Sequence, residues 1–230
     1  MKKFTQKTLR LVFPIFVFII MTSFFYVFRI QTIEVRGTKN IVGLSQIDNT
    51  FIFLLNEKQL TKKLLSQNFN LESISLLKKY PNTILLTAVE SKILASLLVD
   101  TGYYDLTKNA RIVGKHHEIK KGKTIIKTGQ LYPYSAYQVG DTISNPPLST
   151  SLYLLFRLDE IDLPIDTIEV KGFDVLVFTK GEKKYLFLAE ENRDEQYNKL
   201  LAVIRGLSLQ GKKYTSIDVR FNKPVVKLVN

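Results

Sequence analysis

The chain has 230 residues, 33 of them Lys or Arg and 21 Asp or Glu, for a formal charge of +12, and 45% are apolar. That apolar content excludes a disordered tail protein and leaves room for one or two cored domains. Cysteine is absent, which removes disulfide scaffolds, thiolate metal sites and a cysteine nucleophile; the only imidazoles are the adjacent His116 and His117.

Leu11 to Phe28 is an uncharged run of 18 residues, preceded by Lys2, Lys3, Lys7 and Arg10 with no acid. Its length predicts a transmembrane helix over 11–28, since an apolar helix crossing a bilayer needs about 17–25 residues. The positive-inside bias then predicts a cytoplasmic tail at 1–10 and an extracytoplasmic remainder. A cleaved signal peptide is the rival reading, but the run is longer than such a core and ends in Phe24-Phe25-Tyr26-Val27-Phe28 without small residues. The part from Arg29 onwards keeps 29 basic residues against all 21 acids, a net +8, with both signs interspersed as on a solvated surface.

Thr32-Ile33-Glu34-Val35-Arg36-Gly37 alternates apolar and charged residues before a glycine and predicts a strand. Asn56 caps a predicted helix over about 57–67 on which Leu60, Leu64 and Leu65 recur at helical spacing. Period-two segments around Ser73–Leu77 and Ile84–Val89 flank Lys79-Tyr80-Pro81-Asn82-Thr83, where the turn chemistry of Pro81 and Asn82 predicts a hairpin. These elements make one small α/β unit, with a boundary to the next placed between Lys92 and Asp100.

Further along, Gly102 to Asn109 reads as turn-rich, His116 to Lys123 as a charged loop and Asn145-Pro146-Pro147 as a break. Ser149 or Thr150 caps a predicted helix bearing Leu152, Leu155 and Phe156. Strands are predicted at 168–171, 173–179 and 185–188, the last two joined at Lys180-Gly181-Glu182-Lys183. Tyr197, Leu200, Leu201 and Ile204 mark a helix over 194–205 stopped by Gly206, and strands at 216–221 and 225–229 follow. The strand Thr32–Gly37 is echoed by Thr167–Gly172, but no period links their surroundings, so the two are independent amphipathic strands.

Little of this carries chemistry. Gly206-Leu207-Ser208-Leu209-Gln210-Gly211-Lys212 has the spacing of a phosphate-binding loop, yet Lys213 replaces the required hydroxyl and a helix precedes where a strand should. Adjacent His116 and His117 diverge on an extended backbone and have no third His or Cys to complete a metal site. Gly-x-Ser-x-Gly is absent, and Asp159 and Asp162 read as a solvated helix end. No catalytic, cofactor or metal residue is assigned, which moves the reading from enzyme to interaction protein.

The order of motifs is informative. A basic tail, an apolar run, Val35-Arg36-Gly37, Leu77-Lys78-Lys79-Tyr80-Pro81-Asn82-Thr83-Ile84 leading to Val89-Glu90, and the closing Tyr214-Thr215-Ser216-Ile217-Asp218-Val219-Arg220-Phe221 followed by Val225-Val226 resemble the FtsQ/DivIB family of bacterial cell-division proteins. The chain departs from that pattern at Ser91-Lys92-Ile93-Leu94, where relatives carry Arg and Pro, and at Asp105–Asn109.

The resemblance implies an α+β protein: a single N-terminal transmembrane helix, a small POTRA-type α/β module at 29–98, and a mostly antiparallel β domain with two helices at 99–230. It implies a non-enzymatic divisome scaffold at the cell membrane and division septum that binds FtsB/DivIC-like and FtsL-like single-pass proteins and helps control septal peptidoglycan synthesis, with no cofactor and no nucleic-acid or small-molecule substrate. The residues it marks are Gly37, Tyr80, Pro81, Asn82, Glu90 and Asp218 as structural positions. Arg220, Phe221, Val225, Val226, Lys227, Leu228 and Val229 are marked as a partner-binding edge, because a last strand presents unpaired backbone groups. A POTRA-type chaperone or secretion component is the alternative, and a membrane-anchored exported hydrolase a third reading.

Overall fold

The computed structural model describes residues 2–38, 40–119, 122–172 and 174–229, and side chains from residue 14 onwards. The chain divides into two compact units, Met1–Ser91 and Lys92–Asn230. The division falls between Ser91 and Lys92, at the near end of the stretch Lys92 to Asp100 in which sequence reading placed it.

The first unit begins with helix α1 (Lys2–Val27). Among the described residues no helix is long and apolar enough to cross a membrane, which corrects the expected transmembrane helix at 11–28 and, with it, the single-pass membrane placement. The side chains described on α1, Pro14 to Val27, include the polar Thr22 and Ser23, and the Thr22 hydroxyl donates to the Phe18 and Ile19 carbonyls at 2.9 and 3.0 Å. The side chains of Lys2, Lys3, Lys7 and Arg10, on which the expected orientation rested, and those of Leu11 to Phe13 lie outside the description.

Strand β1 (Thr32–Arg36), helix α2 (Glu57–Gln67), β2 (Leu71–Lys79) and β3 (Thr83–Glu90) complete this unit in a sheet of order β1-β3-β2. The Asn56 side chain caps α2 by accepting from the Gln59 N–H at 3.2 Å. Burial of Ile30, Ile52, Leu64, Leu71, Ile84 and Leu86 forms the core. The β2–β3 hairpin contains the cis Tyr80–Pro81 bond. Its Asn82 carbonyl accepts from the Gln31 and Thr32 N–H groups at 2.9 and 3.3 Å, and the Asn82 amide donates to Gln31 Oε1 at 3.2 Å, so the turn anchors the start of β1. Tyr80 is exposed and stacks on Phe53 with ring centroids 5.3 Å apart, while Glu90 ends β3 in solvent.

Gly37 ends β1 at φ +90°, and a Cβ there would sit 1.9 Å from the Ala88 carbonyl oxygen of β3. Both the backbone angle and the close approach exclude a side chain. Gly37→Ala is therefore expected to destabilise the first unit by at least about 2 kcal/mol in chemical denaturation.

The second unit comprises β4 (Ala95–Val99), β5 (Gly102–Leu106), β6 (Ile112–His116), β7 (Thr124–Lys127), α3 (Pro146–Asp159), β8 (Thr167–Lys171), β9 (Val175–Lys180), β10 (Lys183–Leu188), α4 (Arg193–Leu209), β11 (Tyr214–Asp218) and β12 (Val225–Leu228). Nine strands form one sheet of order β12-β11-β10-β9-β8-β7-β4-β5-β6. The sheet is mixed: β4 with β7, β7 with β8 and β10 with β11 are parallel. Five of the eight neighbouring pairs are antiparallel, in line with the mostly antiparallel domain expected from sequence, and the three parallel pairs are what that expectation lacked. The connections explain these, since α3 lies between β7 and β8 and α4 between β10 and β11, and a parallel pair needs such a crossover.

Local signals were partly misread for identifiable reasons. Asn145-Pro146-Pro147 starts α3 rather than breaking the chain: Asn145 accepts from the Leu148 N–H at 2.9 Å, and prolines are tolerated in a first turn whose N–H groups need no helical partner. Helix α4 runs through Gly206 to Leu209, and the left-handed Gly211 follows its end. Gly102 to Leu106 is a strand, because Tyr104 and Leu106 are wholly buried and the tyrosines suit a sheet. Phe173, where one expected strand began, lies outside the described residues.

Asp166 clamps the β9–β10 turn to the start of β8. The Gly181 N–H donates to its Oδ2 at 2.8 Å and Lys180 Nζ to its Oδ1 at 3.1 Å, and these hold the carboxyl below the usual carboxylate range. A carboxylate depressed on folding stabilises the fold above its unfolded pKa, about 3.9, and that contribution fades as pH falls through the lower folded value. Thermal melts of the chain across about pH 2–6 should therefore show a shallower acid limb for Asp166→Asn than for the wild type.

Candidate partner-binding edge

A nine-stranded open sheet has two outer edges, and the chain treats them differently. At β6 the Ile112 N–H donates to the Asp141 carbonyl, and the Ile112 carbonyl accepts from the Gly140 N–H, both at 2.8 Å. Arg111 bridges Thr142, and Lys115 Nζ donates to the Tyr134 and Tyr137 carbonyls at 2.5 and 2.8 Å. The loop after β7 thus closes much of that edge. At the other end β12 pairs, among the described residues, with β11 alone.

The register decides which groups of β12 face outward. Val229 N–H donates to the Lys213 carbonyl at 3.1 Å, and the Lys227 carbonyl accepts from the Thr215 hydroxyl at 3.3 Å. Positions 227 and 229 therefore turn their peptide groups towards β11. Alternation along the strand turns those of Val226 and Leu228 away from the sheet. The irregularity that breaks the ladder lies in β11, between Tyr214 and Ser216, so the alternation of β12 is uninterrupted. Pro224, which has no N–H to present, stands just before this edge, where proline is tolerated.

Side chains follow the same alternation. Val226 packs on the core that contains Ile217, Tyr185 and Val219, and this fixes the face of β12 turned to the helices. On the opposite face Val225 is 57% exposed and Val229 52%, while Leu228, at the strand end, is 43% exposed. Phe221 lies in the β11–β12 connection at 54% exposure. Its neighbour Arg220 is fixed by Asp218: Nε donates to Oδ1 at 2.9 Å, NH2 to Oδ2 at 2.6 Å, and the Arg220 N–H reaches Oδ1 at 3.1 Å. The carboxylate raises the arginine's pKa further, so this charge is permanent. The Arg220 guanidinium also lies 5.5 Å from the Phe221 ring centroid. The seven residues marked from sequence as a partner edge thus lie together at one end of the sheet, with Asp218 bracing their first turn.

Sequence reading missed Leu209, which is 90% exposed at the end of α4, because the helix was expected to stop at Gly206. It also left unread the basic character of this end. Between Lys212 and Val229 stand five cations, Lys212, Lys213, Arg220, Lys223 and Lys227, against the single carboxylate of Asp218.

The unit's other polar clusters are occupied structurally. Buried Asp105 accepts from the Ser96 hydroxyl at 2.7 Å and lies 3.5 Å from His116 Nε2. The carboxylate contacts both side chains, but His116 Nε2 has no hydrogen-bond partner among the described residues, so no Ser–His hydrogen bond of the kind a nucleophilic pair needs is formed. His117 is bonded instead to the Thr101 carbonyl at 2.7 Å and stacks on Tyr134. No metal-holding group of His, Cys, Asp and Glu occurs among the described residues. In a cavity of about 600 Å³ beside β7 and β8, Asp159 and Asp166 are tied to Lys92 and Lys180 at 2.5 and 3.1 Å. Gly206 and Gly211, the loose phosphate-loop match, lie in and just after α4 with β11 following, the reverse of the order such a loop needs.

Neither the protein-family models nor the curated proteins include a match to this chain.

The register makes a stability prediction. Lys227→Pro removes an N–H that faces β11 and should destabilise the second unit by about 1–3 kcal/mol, whereas Leu228→Pro removes one that faces solvent and should melt close to the wild type. Thermal denaturation of the two variants side by side is the measurement.

Proposed function

We propose that the chain is a non-enzymatic cell-division scaffold that takes a strand from a partner protein onto β12. The observation that carries this reading is the outward row of backbone groups at Val226 and Leu228 on an edge strand that, among the described residues, is paired on one side only. A strand added there gains main-chain hydrogen bonds, and exposed apolar side chains beside the edge supply area for anchoring. Phe221, Val225, Leu228 and Val229 are such side chains. The motif resemblance to FtsQ/DivIB proteins names the partners: an FtsB/DivIC-like protein, with an FtsL-like protein in the same assembly, whose capture helps control septal peptidoglycan synthesis.

The clusters that would serve a hydrolase are held in structural pairs, which favours the scaffold reading over an enzymatic one. Calorimetric titration of the chain with the FtsB/DivIC-like protein of the same organism tests it. Wild type should bind, and Leu228→Pro should weaken binding at least about tenfold with the melting temperature unchanged, since one edge hydrogen bond is lost and its acceptor stranded. Equal binding by a folded Leu228→Pro variant would remove β12 as the docking edge.

A further inference from the structure

Strand addition leaves open which sequences the edge accepts, and the cross-strand rows of the sheet restrict them. On the face opposite the helices, Thr179, Lys184, Ser216 and Lys227 form one row across β9, β10, β11 and β12. The next row holds Val177, Leu186, Asp218 and Val225. On the helix face Phe178, Tyr185, Ile217 and Val226 are in line, with Tyr214 and Leu228 forming the row beyond. A strand docked on β12 extends each row by one residue, about 4.8 Å further out, with direct neighbours about 4.5–5.5 Å apart at Cβ.

The charges on these rows are unequal. Asp218 is neutralised by its two-pronged contact with Arg220. Lys184 and Lys227 are exposed, flank Ser216, and have no acidic partner among the described residues; Lys212, Lys213 and Lys223 at the same end of the sheet have none either. A partner residue beside Lys227 therefore meets an uncompensated positive row. Like charges opposite one another are destabilising, and opposite charges are favourable. The residues on either side of it in the partner strand point to the helix face, where they extend the apolar rows of Val226 and Leu228.

Resting on the strand-addition reading above, we infer that β12 selects a partner strand carrying an apolar-acidic-apolar triplet, with its Asp or Glu beside Lys227 and its apolar residues beside Val226 and Leu228. Lys227 is then the residue that sets register and partner choice. A shift of one residue would place the acid in the apolar rows of the helix face and an apolar residue against Lys227, so the charge discriminates between registers as well as between partners. The surrounding cations steer an acidic segment to the edge and make its binding sensitive to salt.

Titrations of the full chain with the FtsB/DivIC-like protein test this inference. For wild type the Kd should rise with ionic strength. Lys227→Glu should weaken binding about tenfold and Lys227→Gln by less, with both melting as wild type because the side chain is exposed. Replacing the acidic residue of the partner's strand with Lys should restore affinity to Lys227→Glu while weakening wild type. If Leu228→Pro disrupts binding but Lys227→Glu does not, and the Kd is independent of salt, strand addition stands and the selection rule is overturned. Lys227 is in that case only a guard against edge-to-edge aggregation. If Leu228→Pro leaves binding intact, the failure lies with strand addition itself, and the selection rule falls with it.

Discussion

Every peptide group in a sheet carries a donor and an acceptor that must find partners, and the nine-stranded sheet of the second unit is organised around that requirement. Its seven inner strands are paired on both sides. At β6 the outer side is served by backbone groups of residues 140–142 and by the reach of Lys115. At β12 the outer side faces away from the protein, and the chain manages this exposed edge by keeping it four residues long, preceding it with Pro224 and placing Lys227 in its middle. Short length, proline and lysine are means by which a free edge avoids indiscriminate pairing. None of them blocks a strand that brings its own complementary charge.

The core behind the edge gives it rigidity. Ile217 and Val219 are fully buried, Tyr185 and Tyr214 bring their hydroxyls within 3.2 Å, and burial together with that contact pushes the Tyr185 pKa upward, so the phenol stays neutral. On the flank, Gln196 of α4 is buried and exchanges hydrogen bonds with both backbone groups of Leu188, at 2.7 and 2.8 Å, tying the helix to the end of β10. Asp218 and Arg220 hold the turn out of the strand that carries Phe221. Under the proposed function a docking strand would meet an edge whose geometry is set before it arrives, which would reduce the entropy lost on binding.

The first unit follows the same logic on a smaller scale. Its three strands bury an aliphatic core under α2, and the close approach of Gly37 to Ala88 and the double acceptance by the Asn82 carbonyl set how β1 lies against the hairpin. Within the Tyr80-Pro81-Asn82 turn it is Asn82 that serves this construction, while the exposed ring of Tyr80 joins Phe53 in an aromatic contact.

Sequence alone determined the elements whose signals are local. Asn56 with its leucine repeat predicts α2, and alternation predicts β1, the hairpin strands and the last two strands. It also brought residues 220–229 into one candidate edge, because neighbours in a short hairpin are neighbours in space. What required tertiary structure was every property that depends on distant segments. Gly102 to Leu106 reads as turns until burial against the rest of the sheet makes it a strand; β10 and β11 are parallel because α4 carries the chain across; and no helix among the described residues is long and apolar enough for the membrane span that composition suggested. The direction in which Lys227 and Leu228 turn their peptide groups is of the same kind. Alternation fixes that they differ, but only the pairing with Lys213 and Thr215 across the ladder fixes which one faces outward.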